Sequence, residues 1–200
     1  MTSTRADLRA ELRARRAALR PGERLAAADA VARHLGERPE RREPGYVGGY
    51  WAVGGEVPLH AVQLRLAPGQ AWCLPIVQED GGLRFGPWRA GDPLEPNRYG
   101  IPEPDLAIED TLEPAQMALV VTPLVGFDAR CRRLGMGGGW YDRSFAFRHQ
   151  RPAPPWLVGV GFSVQQVDDL PVQPWDVAVD AICTDVSTLV CVPTNGRHLP

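Results

Sequence analysis

The stretch MALVVTPLVGF, from Met117 to Phe127, is apolar at almost every position and β-branched through its centre. A strand with one face in water alternates apolar and polar residues, so a continuous run of this kind belongs to a strand covered on both faces. That requires packed layers above and below one sheet. Four further runs have the same character: GYVGGYWAV (Gly45 to Val53), AWCLPIV (Ala71 to Val77), WLVGVGF (Trp156 to Phe162) and VAVDAICTD (Val177 to Asp185). Between them, Pro58 to Leu66 (PLHAVQLRL) reads as a helix with proline in its first turn, and Trp140 to His149 (WYDRSFAFRH) has helical potential. Strands alternating with helices imply an α/β chain, a three-layer α/β/α sandwich about a largely parallel, Rossmann-like sheet. GGLRFGPW suits a hairpin, whereas Glu95 to Asp105 (EPNRYGIPEPD), with three prolines, is expected to be an irregular connection. The expectation is a single domain over residues 1–190, with 191–200 a tail that is a strand remnant or disordered.

The chain begins with two amphipathic helices spanning residues 4–38. Leu8, Leu12 and Leu19 fall at helical spacing, Pro21-Gly22 breaks the pattern, and Leu25, Ala28, Val31, Ala32 and Leu35 resume it. This segment is basic. Met1 to Arg42 holds 11 arginines against 6 acids, leaving 11 basic against 18 acidic residues in the remainder and a formal charge of -2 overall. Interleaved acids make a solvated helix face the simpler reading, which argues against nucleic acid as the main partner. All 22 basic residues are arginine. The absence of lysine excludes a Schiff base and the lysine of the usual P-loop, so any phosphate must be held by arginine, backbone N–H groups or a metal.

Cys73, Cys131, Cys183 and Cys191 are scattered without a C-x-x-C pair, so reduced thiols and no disulfide are expected. No apolar run approaches the roughly 18 residues of a membrane span, and the arginine-rich N-terminus lacks the apolar core of a secretory signal. The cytoplasm is the expected compartment.

The segment with most chemical character is RRLGMGGGWYDR, Arg132 to Arg143, which follows the apolar run and leads into a helical pattern. In open α/β sheets ligands bind at the carboxyl edge, glycines let backbone N–H groups approach an anion, and a helix N-terminus adds unpaired donors. Arg132, Arg133 and Arg143 bring positive charge to both sides. The spacing fits neither G-x-G-x-x-G nor G-x-x-x-x-G-K-[ST], so a plain turn and a phosphate cradle both remain open at this level. Asp142 beside these glycines is either a magnesium handle or a first-turn aspartate favoured by the helix dipole. Asp128 can cap the loop by an Asx-turn. Asp176 and Asp180 would share a face if WDVAVD were extended. Glu56 in WAVGGEVPL is either an acceptor for the amide and amine groups of a heterocycle or a solvated loop residue. Arg5 and Arg9, at i and i+4, could grip one phosphate together or form a solvated surface. The four histidines show no metal-ligand spacing.

Taken in order, R-x-x-L-R (Arg5 to Arg9), GGEV (Gly54 to Val57), RYGIPEP (Arg98 to Pro104), GFDARCRRLGMGGGWYDR (Gly126 to Arg143) and LPVQPWDVAVDAICTD (Leu170 to Asp185) resemble the 5-formyltetrahydrofolate cyclo-ligase family. The resemblance implies the cyclo-ligase fold and conversion of 5-formyltetrahydrofolate, free or polyglutamylated, to 5,10-methenyltetrahydrofolate with ATP and Mg²⁺, by a monomer. It places Arg133, Leu134, Gly135, Met136, Gly137, Gly138, Gly139, Trp140 and Tyr141 around the ATP phosphates, joined by Arg5 and Arg9. It assigns Met136 to Trp140, Trp51 and Glu56 to the folate, and Asp142 and Asp176 to magnesium. Arg5 stands where the family usually has lysine, Cys131 where it has glycine, Pro58-Leu59 where Asp-Thr is common, and Trp175 where histidine is frequent. Two other readings fit parts of the pattern: an ATP-dependent ligase for a related formamide or pterin, and a non-catalytic nucleotide- or RNA-binding module of the same fold.

Overall fold

The computed structural model describes residues 4–191. Helix α1 (Arg5–Ala17) starts at a capping box in which Thr4 Oγ1 accepts the Asp7 N–H and Asp7 Oδ2 accepts the Thr4 N–H. Helix α2 (Pro21–Gly36) opens on its proline and buries Ala27, Ala28, Val31, Ala32 and Leu35, the stripe read from the sequence. Five parallel strands follow in the chain: β1 (Gly45–Gly48), β2 (Gln70–Val77), β6 (Leu119–Pro123), β9 (Trp156–Val160) and β10 (Ala181–Cys183). Their order across the sheet is β10-β9-β6-β1-β2, and antiparallel strands β3 (Leu83–Pro87) and β11 (Thr188–Val190) flank β2 and β10 to give a mixed sheet of seven strands.

Each central strand feeds two cores by its two-residue period. Trp72, Leu74, Leu119, Val121, Val158 and Val160 pack on one face with α2 and the short helix α3 (His60–Gln63). Cys73, Val120, Leu157 and Ile182 pack on the other with Phe85, Phe127 and Phe145. The double burial that the apolar runs demanded is therefore present. The helical cover of the second face is thin. Helix α4 (Trp140–Ser144) is barely more than one turn, and a 3₁₀ segment replaces its continuation over Ala146–His149.

Several boundaries differ from expectation. The helix expected over residues 58–66 contracts to α3, with Leu64 at 84% exposure outside it. The Met117–Phe127 run breaks after Pro123, and its end, β7 (Gly126–Phe127), pairs instead with β8 (Arg133–Leu134). The proline-rich connection is a hairpin of β4 (Leu94–Pro96) and β5 (Pro102–Pro104). Of Val177 to Asp185 only β10 is extended, so Asp176 and Asp180 lie outside the strand and serve different ends. Asp180 binds Arg148 at 2.7 Å and the Leu157 N–H at 2.7 Å. Cys131 and Cys191 form a disulfide with Cα atoms 5.9 Å apart, correcting the expectation of four separate thiols. They lie 60 residues apart, so no local spacing announced them; the return of β11 brings the Cys191 N–H onto Asp180 O, next to the Cys131 loop. Cys131 has φ 57°, a left-handed conformation that ordinarily favours glycine. Residues 192–200, the greater part of the expected tail, lie outside the described residues. Among the described residues no helix is long and apolar enough to cross a membrane.

Candidate active site

The chain passes from β1 to β2 on one side and then returns past β1 to β6 on the other, so the carboxyl ends of β1 and β6 splay apart. Such a switch point is where open α/β sheets leave a crevice. A cleft of about 930 Å³ opens there. Pro75 and Val77 at the end of β2, Pro123 at the end of β6 and the loop after β1 form its floor, and the glycine segment forms one wall.

That wall has the carbonyl groups of Gly135, Met136 and Gly138 engaged by arginines, while its N–H groups find no acceptor among the described residues. Arg9 Nε donates to Gly135 O at 2.9 Å, Arg13 Nη2 to Met136 O at 3.3 Å, and Arg143 Nη2 to Gly138 O at 2.7 Å. None of the N–H groups from Gly135 to Gly139 finds an acceptor among the described residues. Gly137 (φ 111°) and Gly139 (φ 67°) adopt backbone conformations that favour glycine, and a Cβ on Gly138 would overlap the Trp140 indole. Gly139 then caps α4, which at five residues contributes less dipole than the full helix expected from sequence.

The charged groups divide clearly. Arg133 donates to Asp142 Oδ1 at 2.6 Å and lies over the Tyr141 ring. Asp142 Oδ1 also accepts the Val177 N–H at 3.1 Å, while no hydrogen bond from the described residues reaches Oδ2. Asp176 takes Arg5 through two bonds, at 2.5 and 3.2 Å, and accepts the Gln173 N–H at 2.8 Å. Arg5, Arg9, Arg133, Asp142 and Asp176 all border the one cleft. Arg132 does not: it is drawn away to Asp128 and Asp169. Asp128, fully buried, holds the loop as an Asx-turn by accepting the Arg130 N–H at 2.9 Å and the Arg132 N–H at 3.2 Å. Arg143 reaches Gly81 O at 2.8 Å as well as Gly138 O, bracing the wall. Among the described residues no three His, Cys, Asp or Glu side chains gather as a metal cage.

The opposite side is aromatic. Trp51 is 40% exposed and meets Trp88 edge to face at 6.2 Å. Glu56 is 8% exposed and accepts the Val53 N–H at 3.1 Å; burial raises its pKa, an effect the Val53 hydrogen bond and the Arg16 charge oppose. Burial also raises Tyr50 and Tyr141, which remain neutral phenols, and Tyr50 Oη donates to Val57 O at 2.8 Å.

The structure gathers every residue assigned from the sequence except Leu134, which is buried with Leu12, Val125 and Leu170 and only leads the backbone into Gly135. It adds residues that sequence reasoning left without a role. Tyr99 packs edge to face on Trp140 at 5.0 Å, and the Arg98 guanidinium lies 5.2 Å from the Tyr99 ring and 6.0 Å from the Trp140 ring, at the rim. Pro75 and Pro123 could have been found from the carboxyl-edge rule alone. Trp175, 64% exposed, borders the cleft beside Asp176.

Comparison with known proteins agrees with this architecture. The family model described as the 5-formyltetrahydrofolate cyclo-ligase family matches residues 1–185. A 5-formyltetrahydrofolate cyclo-ligase of Haemophilus influenzae is 32% identical over 179 residues, 88% of this chain and 95% of that protein. One of Escherichia coli is 37% identical over 119 residues, 58% of this chain and 64% of that protein. The NMR structure of Aquifex aeolicus 5,10-methenyltetrahydrofolate synthetase aligns with a TM-score of 0.79 at 27% identity, covering 98% of this chain and 96% of that one. A 5,10-methenyltetrahydrofolate synthetase from Mycoplasma pneumoniae shares the fold, with a TM-score of 0.69 at 23% identity over 92% of this chain and 99% of that one. With the family model spanning nearly the whole described chain and one switch-point cleft collecting its ordered blocks, the chain belongs to the 5-formyltetrahydrofolate cyclo-ligase family and is by that homology a cyclo-ligase enzyme.

Proposed function

We propose that this chain converts 5-formyltetrahydrofolate to 5,10-methenyltetrahydrofolate at the expense of ATP, within the cleft at the β1/β6 switch point. The observation that carries the reading is the pairing, in one crevice, of a backbone wall with free N–H groups and an aromatic pocket holding a buried carboxylate. The N5-formyl group is a poor electrophile whose oxygen must leave. Attack of that oxygen on the γ-phosphorus breaks the bond to ADP and leaves an imidate phosphate. N10 then adds to the formyl carbon, the C–O bond breaks with its electron pair going to phosphate, and the N10 proton is lost. Such a transfer needs positioning and charge neutralisation rather than a protein nucleophile.

The roles of the side chains follow. The N–H groups of Gly135, Met136, Gly137, Gly138 and Gly139 bind phosphate oxygens, with Arg133, Arg5 and Arg9 supplying charge. Glu56 accepts hydrogen bonds from the pterin, and Trp51, Met136 and Trp140 enclose it. Magnesium fits Asp142, whose Oδ2 accepts no hydrogen bond from the described residues, and Mg²⁺ is commonly held by one or two carboxylates plus substrate phosphates rather than a protein cage; Asp176, on the same cleft, has both oxygens on Arg5 and would serve as a second ligand only once Arg5 turns to the phosphates. When bound, it would neutralise charge developing on the transferred phosphoryl group. Three arginines of the basic helix turn toward this site, Arg5, Arg9 and Arg13 being bonded to Asp176, Gly135 and Met136, which weakens the RNA-binding reading.

Incubating the chain with 5-formyltetrahydrofolate and Mg-ATP is expected to generate the methenyl absorbance together with ADP and phosphate. A folded chain that gives none of these refutes the proposal.

A further inference from the structure

Beneath the aromatic side of the cleft lies an arginine outside every block that carries the family resemblance. Arg16 is on the last turn of α1, 2% exposed. Its Nη2 donates to Gly54 O at 2.8 Å, while Nη1 is buried without a partner among the described residues. Burying a guanidinium against one carbonyl is costly unless another charge compensates. A methionine would fill a similar channel without that cost. What arginine adds is a tie to the glycine turn and a positive charge at the turn that carries Glu56.

The surroundings are arranged around that tie. Arg24 of α2 donates to the Arg16 carbonyl at 3.0 Å and to Ala17 O at 3.1 Å, fixing the end of α1, and its guanidinium closes against Gly55. Arg5, Arg9, Arg13 and Arg16 are spaced by four, four and three residues. They reach in turn Asp176, Gly135, Met136 and Gly54. One helix face therefore touches both walls of the cleft, and Arg16 is its contact on the pterin side.

We infer that Arg16 is a positioning residue for the folate: through Gly54 O it fixes the Gly54-Gly55-Glu56 turn from below and brings a guanidinium to the turn that carries Glu56. This rests on the role proposed above for Glu56. Glu56 accepts the Val53 N–H and lies within electrostatic reach of Arg16 from α1, the Tyr50 hydroxyl after β1 and the Tyr141 hydroxyl of α4, while Arg13 and Arg24 act on Arg16 in the same way. Removing the arginine charge leaves Glu56 more easily protonated, so the acid limb of kcat/KM should move to higher pH.

The test compares Arg16→Met and Arg16→Lys with the unaltered chain, varying folate and nucleotide separately, with pH profiles and thermal melts. Arg16→Met is expected to raise KM for 5-formyltetrahydrofolate about tenfold, the scale of one lost charge-assisted contact, with KM for ATP and kcat changed by no more than about twofold. Its acid limb shifts upward. Arg16→Lys keeps the charge but loses the fork, so it should raise the folate KM about threefold with the acid limb unmoved. A lower melting temperature or kcat with both KM values unchanged, or an equal rise in both, makes Arg16 a strut and overturns the inference. Should Arg16→Met not fold, the Arg16→Lys result decides alone: a selective rise in folate KM supports it, and no selective rise overturns it. An unaltered chain without turnover overturns the cyclo-ligase reading and this inference with it, whereas turnover with unselective variants overturns only the latter.

Discussion

Asp142→Asn separates the role of a charge from that of a shape. The native carboxylate accepts Arg133 at 2.6 Å and the Val177 N–H at 3.1 Å through Oδ1, and asparagine can present an oxygen in the same place. The bond to Arg133 loses its charge assistance, worth about 1 kcal/mol. In a chain of this length that lowers the melting temperature by roughly 2–4 °C. Catalysis should suffer far more. The free Oδ2 becomes an NH₂ group pointing into the cleft, where it repels a cation and cannot help neutralise the moving phosphoryl group. Loss of one such electrostatic contact costs about 3–4 kcal/mol of transition-state stabilisation, or 10²–10³ in kcat. The assay is methenyl formation at saturating substrates beside a thermal melt of the same preparation. A kcat within about threefold of the unaltered chain refutes the metal-handle reading, and a melting temperature lowered by more than about 10 °C would show that Asp142 acts mainly on the fold.

Glu56→Gln should trade function for stability. The Glu56 pKa is raised chiefly by burial, so its charged form is disfavoured in the folded state; stability is then greatest at low pH and declines as pH rises through the folded pKa. At pH 7 the neutral glutamine, which can still accept the Val53 N–H, should melt higher while folate binding weakens by about tenfold or more, measured by equilibrium titration; an unchanged or lower melting temperature contradicts the sign. Trp51→Ala removes an aromatic wall and should raise the folate KM about tenfold without changing the ATP KM, checked by initial rates. Leu12→Ala, at a fully buried position, should cost about 3 kcal/mol in urea denaturation, because the small cluster with Val125, Leu134 and Leu170 loses its central side chain.

The parts of the fold legible in sequence were those whose physics is local. Residues 71–77, 156–160 of the run expected over 156–162, and the first half of the 117–127 run are strands covered on both faces, which is what their composition requires. The hairpin of β4 and β5 was missed because prolines were read as breaks. An antiparallel ladder exchanges hydrogen bonds at alternate pairs, and the Asn97 N–H to Ile101 O bond sets the phase. Pro96, Pro102 and Pro104 then fall in the pairs that need no N–H. In the site, the glycine block with Asp142 stands out as a candidate because it is contiguous, but its residues alone leave a plain turn and a phosphate cradle open, and Asp176 enters as a magnesium ligand only through the resemblance. Arg98, Trp175 and Arg16 were not assigned, since their value depends on neighbours supplied by distant segments: Trp140 for Arg98, the cleft beside the glycine wall for Trp175, and Gly54 for Arg16.

Helix α1 shows what that dependence means for the working enzyme. Its apolar residues Leu8 and Leu12 belong to a small cluster separate from the two cores that clasp the sheet. Its polar contacts run to Asp176, Gly135 and Gly54, which lie 171, 126 and 38 residues from their arginine partners. An element with few buried apolar contacts opens at lower free energy than a central strand. Amide hydrogen exchange should therefore find α1 less protected than β6 in the free protein. On the proposed roles of Arg5 and Arg9, ATP should then slow exchange throughout α1, since a ligand stabilises the closed form by its binding free energy. Because Arg16 sits on the same helix, that protection should extend to the Gly54-Gly55-Glu56 turn even without folate. Protection of α1 equal to that of β6 before ATP is added, or an ATP effect that stops at Arg9, would show that the two walls of the cleft are organised independently.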